Sequence, residues 1–219
     1  MTVHLTSSAI ATVALSLLIA GPATAQLMTT CAEDSPERRG EQGCTIIVNK
    51  ALPSGLRDPQ FWNIYRFASL QRAQAAAGAA SVAFDAGGIS WLIAIESQTS
   101  SHRGGKHVAQ VGPLPLPPAA QYRLQVQTAA FTPGMYSLSH QHSGVEAVYV
   151  IEGEACYETP DRAVKIRKGE TLALPAQVHR AVVTGSALRR ILAIIVHDAA
   201  QPATTRREEG AGPPLVACK

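Results

Sequence analysis

Short runs of alternating hydrophobic and polar residues dominate the chain from about residue 82 onward, with glycine, proline and serine between them. A period of two is typical of β-strands that bury one face. Many short strands of this kind favour a sandwich or a barrel, and because the chain has no internal repeat we expect a single barrel. The predicted strands are residues 89–96, 122–130, 135–140, 146–152, 155–159, 171–174, 179–183 and 189–196.

The first 25 residues are predicted to be a secretory signal peptide. The apolar run 10–20 is too short to cross a bilayer as a mature helix, and Gly21 and Pro22 end it. Residues 23–25 (Ala-Thr-Ala) are the small residues that a signal peptidase requires. Because no Lys or Arg precedes the run, a buried N-terminal helix is the alternative. No other segment is apolar enough to cross a membrane, so we expect a secreted or periplasmic protein without membrane attachment after cleavage.

One helix is expected between the signal peptide and the barrel. Asp58 followed by Pro59 has the pattern of an N-cap and a first helical residue, and the alanine-rich stretch 71–80 has high helix propensity. The aromatic residues between them would pack this helix against the rest of the protein. The predicted organisation is a signal peptide at 1–25, an extension with one helix at 26–81, a β-barrel at 82–198 and a loose C-terminal tail at 199–219.

The four cysteines agree with export, because all of them follow the predicted cleavage point. Cys31 and Cys44 bracket a polar, charged stretch, and a disulfide that closes this loop would contribute about 2–3 kcal/mol in an oxidising compartment. Their spacing does not match a zinc knuckle, which needs closely paired cysteines. Whether Cys156 and Cys218 also pair stays open at this point.

Composition and charge narrow the class of partner. Hydrophobic residues make up 46% of the 219 residues, which is enough for a packed core. The formal net charge is only +3, and the Lys and Arg residues are scattered without a long basic run. We therefore expect no nucleic-acid partner and expect a small-molecule substrate or ligand.

A cluster of histidines and one glutamate carries the predicted chemistry. Residues two apart on a strand face the same way, so His140 and His142 project together. The turn at residues 143–144 lets Glu146 begin the next strand on the same side, and His179 lies on another predicted strand after a proline turn. Imidazoles and a carboxylate that converge from neighbouring strands are typical ligands of a divalent metal ion with open positions for water or substrate.

The spacing of these residues resembles the two sequence motifs of the cupin family. The matching positions are Gly134, His140, His142, Glu146 and Gly153 in the first motif, and Gly169, Pro175 and His179 in the second. The resemblance implies an all-β fold, an antiparallel cupin-type β-barrel (jelly roll), here with an N-terminal helical extension. It also implies one divalent metal ion (Fe, Mn, Ni or Zn) bound by His140, His142, Glu146 and His179, and it supports a homodimer.

Other polar residues are given structural roles. His102, His107 and His197 are expected to face solvent, and the adjacent Arg189 and Arg190 are interpreted as a solvated pair. Cys156 is expected to be a small core residue, with a place in the pocket if it points inward. Packing roles are expected for the strand tyrosines Tyr136, Tyr149 and Tyr157.

The resemblance leaves three functions open, because cupin barrels host many activities. The first is a metal-dependent dioxygenase that acts on a small enolisable substrate, as the quercetinase-like members imply. The second is a non-redox lyase, decarboxylase or isomerase, and the third is a non-catalytic periplasmic binding protein. Three neutral imidazoles and one carboxylate leave one positive charge on a bound divalent ion, which favours an anionic substrate. The catalytic residues are unknown at this stage, since no acid or base outside the ligand set is identifiable, and no nucleophile elbow of a serine hydrolase occurs.

Overall fold

The computed structural model describes residues 27–28, 32–33, 43–56, 60–97, 102, 104–208 and 211–219. The elements in this part of the chain are almost all strands, which confirms the predicted all-β fold class. The strands are β1 (Leu27–Met28), β2 (Ala32–Glu33), β3 (Gly43–Ala51), β4 (Gln60–Phe67), β5 (Ser81–Ala86), β6 (Ile89–Glu96), β7 (Lys106–Leu114), β8 (Tyr122–Phe131), β9 (Tyr136–Ser137), β10 (His140–His142), β11 (Gly144–Glu152), β12 (Glu154–Glu158), β13 (Ala163–Arg167), β14 (Thr171–Leu174), β15 (Arg180–Val182), β16 (Arg189–Asp198) and β17 (Thr204–Arg206); the helix α1 spans Leu70–Ala76.

Three sheets are stacked in layers, with a six-stranded sheet in the middle. Its strand order is β14-β11-β16-β8-β3-β2, and every neighbouring pair except β2 and β3 is antiparallel. A five-stranded sheet of order β1-β9-β15-β12-β13 faces one side of it and forms the second wall of the barrel. A four-stranded antiparallel sheet of order β5-β6-β4-β7 packs on the other side.

The central sheet is buried on both faces, and β16 shows how. Ile191 and Ala193 belong to the hydrophobic cluster inside the barrel. Leu192 and Ile194, which point the other way, belong to the cluster between the central and four-stranded sheets, together with Trp62. Strands covered on both faces appear in a sequence as nearly continuous hydrophobic runs. The core of the molecule therefore consists of two apolar layers that share this sheet.

The expected helical extension is not supported. Residues 60–67 form β4, with Trp62 packed against the central sheet and Tyr65 and Phe67 on the opposite face. The helix has only seven residues, begins after Ser69, whose hydroxyl accepts a hydrogen bond from the Arg72 backbone N–H, and buries Ala73. The predicted cap at residues 58–59 lies outside the described part. The sequence predicts that these aromatic residues form the apolar side of a helix, whereas they lie on both faces of a strand.

The C-terminal segment is held to the barrel rather than loose. β17 pairs with β10 in antiparallel register, and Cys156 on β12 forms a disulfide with Cys218. The Val216 N–H also donates to the Thr159 carbonyl oxygen. Cys44 is disulfide-bonded as well, and its expected partner Cys31 lies outside the described residues. The sequence alone could not predict these attachments, because they depend on which cysteines meet in the fold.

The predicted signal peptide falls among residues that the structure does not describe, so it stays a prediction. Within the described residues, no helix is both long and apolar enough to pass through a bilayer.

Candidate metal centre

The predicted ligands come from separate stretches of the chain and lie next to one another. β10 carries His140 and His142, and β11 carries Glu146. The backbone N–H groups and carbonyl oxygens of His140 and His179 hydrogen-bond to each other at 3.0 and 2.8 Å. This bridge brings the second histidine stretch beside the first, and the structure therefore places the four residues that the sequence singled out next to one another.

Gly144, between the second histidine and the glutamate, permits a close approach of two strands. It pairs with His197 on β16, and a Cβ atom at this position would overlap the carbonyl oxygen of Val196 and lie 2.8 Å from the His197 Cα. Only glycine lets β11 run this close to β16, and it does so two residues before Glu146. The tight strand contact fixes where the carboxylate enters the site.

The three histidine side chains form a compact group. Their ring centroids are 4.3 Å apart for His140 and His179, 5.0 Å for His140 and His142, and 5.3 Å for His142 and His179. One ring nitrogen from each lies within 4.8 Å of the others. His142 and His179 are almost completely buried. Separations of this size leave room for one ion between the three rings.

Hydrogen bonds orient all three imidazoles in the same sense. The Nδ1 atoms of His140 and His179 lie 2.7 and 3.1 Å from the carbonyl oxygens of Leu138 and Gln177. Since a carbonyl can only accept, each Nδ1 carries the proton and each Nε2 keeps its lone pair. Backbone partners of this kind are typical of metal-bound histidines.

The His142 ring is fixed by the C-terminal segment. Its Nδ1 lies 3.0 Å from the Ala203 carbonyl oxygen and 3.0 Å from the Thr204 hydroxyl oxygen. The segment predicted to be a loose tail therefore supplies the hydrogen bonds that orient one of the three histidines. The hydrogen bond to Ala203 could not be predicted from the sequence, because it involves a backbone carbonyl oxygen.

Glu146 gives the clearest sign that a cation belongs here. Its Oε2 atom lies 3.1 Å from the Nε2 of His179 and 3.4 Å from the Nε2 of His142. Within the described part of the chain this buried oxygen has no hydrogen-bond partner. With Nδ1 protonated on both rings, the atoms that face one another are all acceptors, which repel unless a cation lies among them.

Burial and mutual interaction shift the pKa values of the histidines and of Glu146. Burial, and then the nearby His179 and His142, lower the pKa of His140 to about 3, so this ring stays neutral. Burial disfavours the charged form of His179, but the negative charge of the Glu146 carboxylate, 3.1 Å away, outweighs burial and raises the pKa of this ring. Burial alone would raise the pKa of Glu146, but the two histidines hold it well below its usual value. The carboxylate thus remains ionised and attracts a cation, and a neutral His140 is available as a further ligand.

Comparison with known proteins agrees with this geometry. Residues 127–195 match the family model described as the cupin domain. The chain carries a cupin domain. The matched range contains all four candidate ligands of the metal centre, and a comparison with curated proteins gave no significant match.

Solved structures with a similar arrangement include a cupin superfamily protein from Desulfitobacterium hafniense, with 21% identity over 34% of this chain and 68% of that one and a TM-score of 0.32. The polyketide cyclase RemF from Streptomyces resistomycificus is 22% identical over 39% of this chain and 59% of its own, with a TM-score of 0.32. The DMSP lyase DddQ from Ruegeria pomeroyi is 19% identical over 38% of this chain and 42% of its own, with a TM-score of 0.34. Each of these similarities covers less than half of this chain and says nothing about activity.

A cavity of about 320 Å³ opens onto the metal centre of the cupin domain. Most of its wall is apolar, and among the polar residues in it are Tyr157 and Arg189. Small, mainly apolar cavities with a few polar groups are typical of sites for small organic ligands. The Cys156 side chain is not in this wall and forms the disulfide with Cys218 instead.

The structural roles that the sequence predicts for Arg189 and His197 are wrong, and His102, also expected to face solvent, is only 12% exposed. Arg189 is not part of a solvated pair: its side chain is buried and lines the cavity, whereas the neighbouring Arg190 points outward near Glu152. His197 is buried too, because it lies opposite Gly144 on β16 and donates from Nδ1 to the Asp198 carbonyl oxygen. The inward direction of Arg189 follows from strand alternation with Ile191, which was the one signal that could have identified it.

Proposed function

We propose that this protein is a metal-dependent cupin enzyme that acts as a dioxygenase on a small, anionic, enolisable substrate. The observation that supports it best is the set of unshared lone pairs on Glu146 and the histidines beside an apolar cavity. His140, His142, Glu146 and His179 would hold one divalent ion. When bound, iron, manganese or nickel would supply Lewis-acid polarisation of a substrate oxygen and electron transfer to dioxygen.

The charge of the cavity supports an anionic substrate. Three neutral imidazoles and the Glu146 carboxylate leave a divalent ion with one net positive charge, and the buried Arg189 adds another in the same cavity. Because the surrounding wall is largely apolar, water screens these charges poorly and an anion is bound more strongly. An enolate or a carboxylate is the substrate class that matches.

A second candidate, a non-redox lyase, is favoured by Tyr157. Its hydroxyl group lines the cavity and has no hydrogen-bond partner among the described residues, and its ring centroid lies 6.4 Å from that of His179. Because burial raises its pKa, this hydroxyl stays protonated, and it is a proton donor that belongs to the protein rather than to the ligand set. In such an enzyme zinc would be sufficient, because the reaction needs no electron transfer.

Oxygen dependence separates the two candidates. The full chain, loaded in turn with Fe(II), Mn(II), Ni(II) and Zn(II), is incubated with acetylacetone and with quercetin as enolisable probes, in air and under nitrogen. We expect the loss of substrate to match the uptake of oxygen, and we expect both to disappear under nitrogen and in His140→Ala. The control His107→Ala, which changes an exposed histidine of β7, should keep the activity. Conversion that proceeds equally under nitrogen would contradict the dioxygenase and favour the lyase.

Export to an oxidising compartment is part of the proposal. The disulfide between Cys156 and Cys218 supports it, since such bonds persist mainly in secreted and periplasmic proteins. To test this, the protein is isolated from the cell fraction in which it occurs naturally, denatured, and treated with a thiol reagent. Four reactive cysteines would contradict export.

A further inference from the structure

The cavity contains a buried arginine that the metal site does not use. Arg189 is the first residue of β16 and pairs with Phe131 of β8. Its side chain is 1% exposed, and its Cζ atom lies 4.2 Å from the centroid of the Phe131 ring. The aromatic face covers one side of the guanidinium plane and leaves its edge, which carries the N–H donors, as the part that can bind.

That edge is unoccupied by protein groups. The Nε and Nη1 atoms of Arg189 have no hydrogen-bond partner within the part of the chain that the structure describes. Arg189 also forms no ion pair with the described residues, whereas Arg167, Arg180 and Arg190 each have a carboxylate partner. A buried charge without a partner is strongly unfavourable, so a residue of this kind is kept for a ligand that supplies the missing acceptor.

Tyr157 provides a second buried hydrogen-bond donor that has no partner among the described residues. It extends from β12 in the facing sheet, is 2% exposed and lines the same cavity, and its hydroxyl also has no partner among the described residues. Burial raises the pKa of this hydroxyl, and the positive charge of Arg189 opposes that shift only in part. The two sheets of the barrel therefore each contribute one unpartnered donor to one apolar space.

We propose that Arg189 and Tyr157 bind a carboxylate group of the substrate in the cavity beside the metal centre. This rests on the proposed function for the presence of a substrate, but it concerns residues outside the ligand set. A guanidinium fork matches the two oxygens of a carboxylate, and one cation balances its single negative charge. A phosphate group carries nearly twice that charge and is usually met by several cations.

Calorimetric titration of the full chain tests the carboxylate site directly. The probes are acetate, pyruvate and benzoate, their neutral amides, and inorganic phosphate, each titrated into metal-free protein and into zinc-loaded protein. Metal-free protein is included because a carboxylate can also bind the metal. We expect at least one carboxylate to bind the metal-free protein at least about tenfold more tightly than its amide, because an amide leaves the guanidinium charge unbalanced.

Variants assign the binding to named side chains. Arg189→Gln should weaken the best carboxylate about 30-fold or more, Arg189→Lys should weaken it less, and Tyr157→Phe should weaken it modestly. Arg190→Gln is the matched control, because this neighbour points away from the cavity toward Glu152, and binding should not change. Metal content should be unaltered in all four variants, which keeps a failure here distinct from a failure of the metal site.

Three results would overturn the proposal. The first is that no carboxylate binds the metal-free protein better than its amide, a result that needs no variant to fold. The second is that Arg189→Gln, folded by circular dichroism, binds the carboxylate as well as the unaltered chain does. The third is that phosphate binds more tightly than every carboxylate, which would assign a different anion to this site.

Discussion

The disulfide between Cys156 and Cys218 should stabilise the protein substantially, because it closes a long loop. The two residues are 62 positions apart in sequence. In the chain-entropy model, a cross-link over that separation lowers the entropy of the unfolded chain enough to contribute about 4 kcal/mol at 25 °C. The double variant Cys156→Ala/Cys218→Ala removes this cross-link, and it leaves the disulfide of Cys44 intact.

Urea unfolding followed by tryptophan fluorescence measures the change. Trp62 and Trp91 are both fully buried between the central and four-stranded sheets, so their emission reports on the core rather than on the C-terminal segment. We expect the free energy of unfolding to fall by about 3–4 kcal/mol, with Tm lower by about 6–16 °C. Unaltered protein in the same buffer without reductant is the reference.

A decrease in the free energy of unfolding of less than about 1 kcal/mol would contradict this prediction. It would mean that the unfolded chain is already compact over this loop, so that the cross-link removes little entropy. A second readout is metal affinity, because the same segment supplies the Ala203 carbonyl oxygen that orients His142. If the disulfide also holds this segment in place, the double variant binds zinc more weakly.

Two further substitutions test the residues that support the metal centre. Gly144→Ala forces β11 away from β16, so it should lower the free energy of unfolding by about 2–3 kcal/mol and weaken zinc binding. The control Gly185→Ala should be nearly neutral, because its added Cβ makes only an ordinary contact at 3.4 Å, and equal unfolding midpoints of the two variants in urea would contradict this. Thr204→Val removes the hydroxyl that lies 3.0 Å from His142 Nδ1 and should weaken zinc binding about tenfold, whereas the control Thr205→Val should leave it unchanged. Competition with a chromophoric chelator measures the zinc affinity. Equal affinities of the two variants would show that the Ala203 carbonyl oxygen alone orients the ring.

The metal centre could be located from sequence because its ligands are close together in the chain. His140, His142 and Glu146 lie on one strand–turn–strand unit, so the period of two along a strand sufficed to bring them together. His179 could be assigned only with the second motif, because the backbone bridge that brings it beside His140 joins two residues that are far apart in the sequence.

The rest of the cavity could not be predicted in the same way. The sequence predicts a solvated pair for Arg189 and Arg190, but Arg189 lies on the inward face of β16 and is buried in the barrel. β4 was mistaken for helix because its aromatic residues are covered on both faces, which removes the alternation of hydrophobic and polar positions. The ordered C-terminal segment depends on a cysteine pairing that only the fold decides. These failures share one cause, since each residue's environment is supplied by a distant part of the chain.

Metal analysis tests the central claim most directly. The full chain is purified without chelators or affinity metals and analysed by mass spectrometry of the elements, beside His140→Ala and the exposed control His107→Ala. We predict about one divalent ion per chain in the unaltered protein and in His107→Ala. His140→Ala should lose most of its metal, because it removes one of three converging imidazoles. Equal metal content in His140→Ala, or no metal in any of the three proteins even after reconstitution, would contradict it.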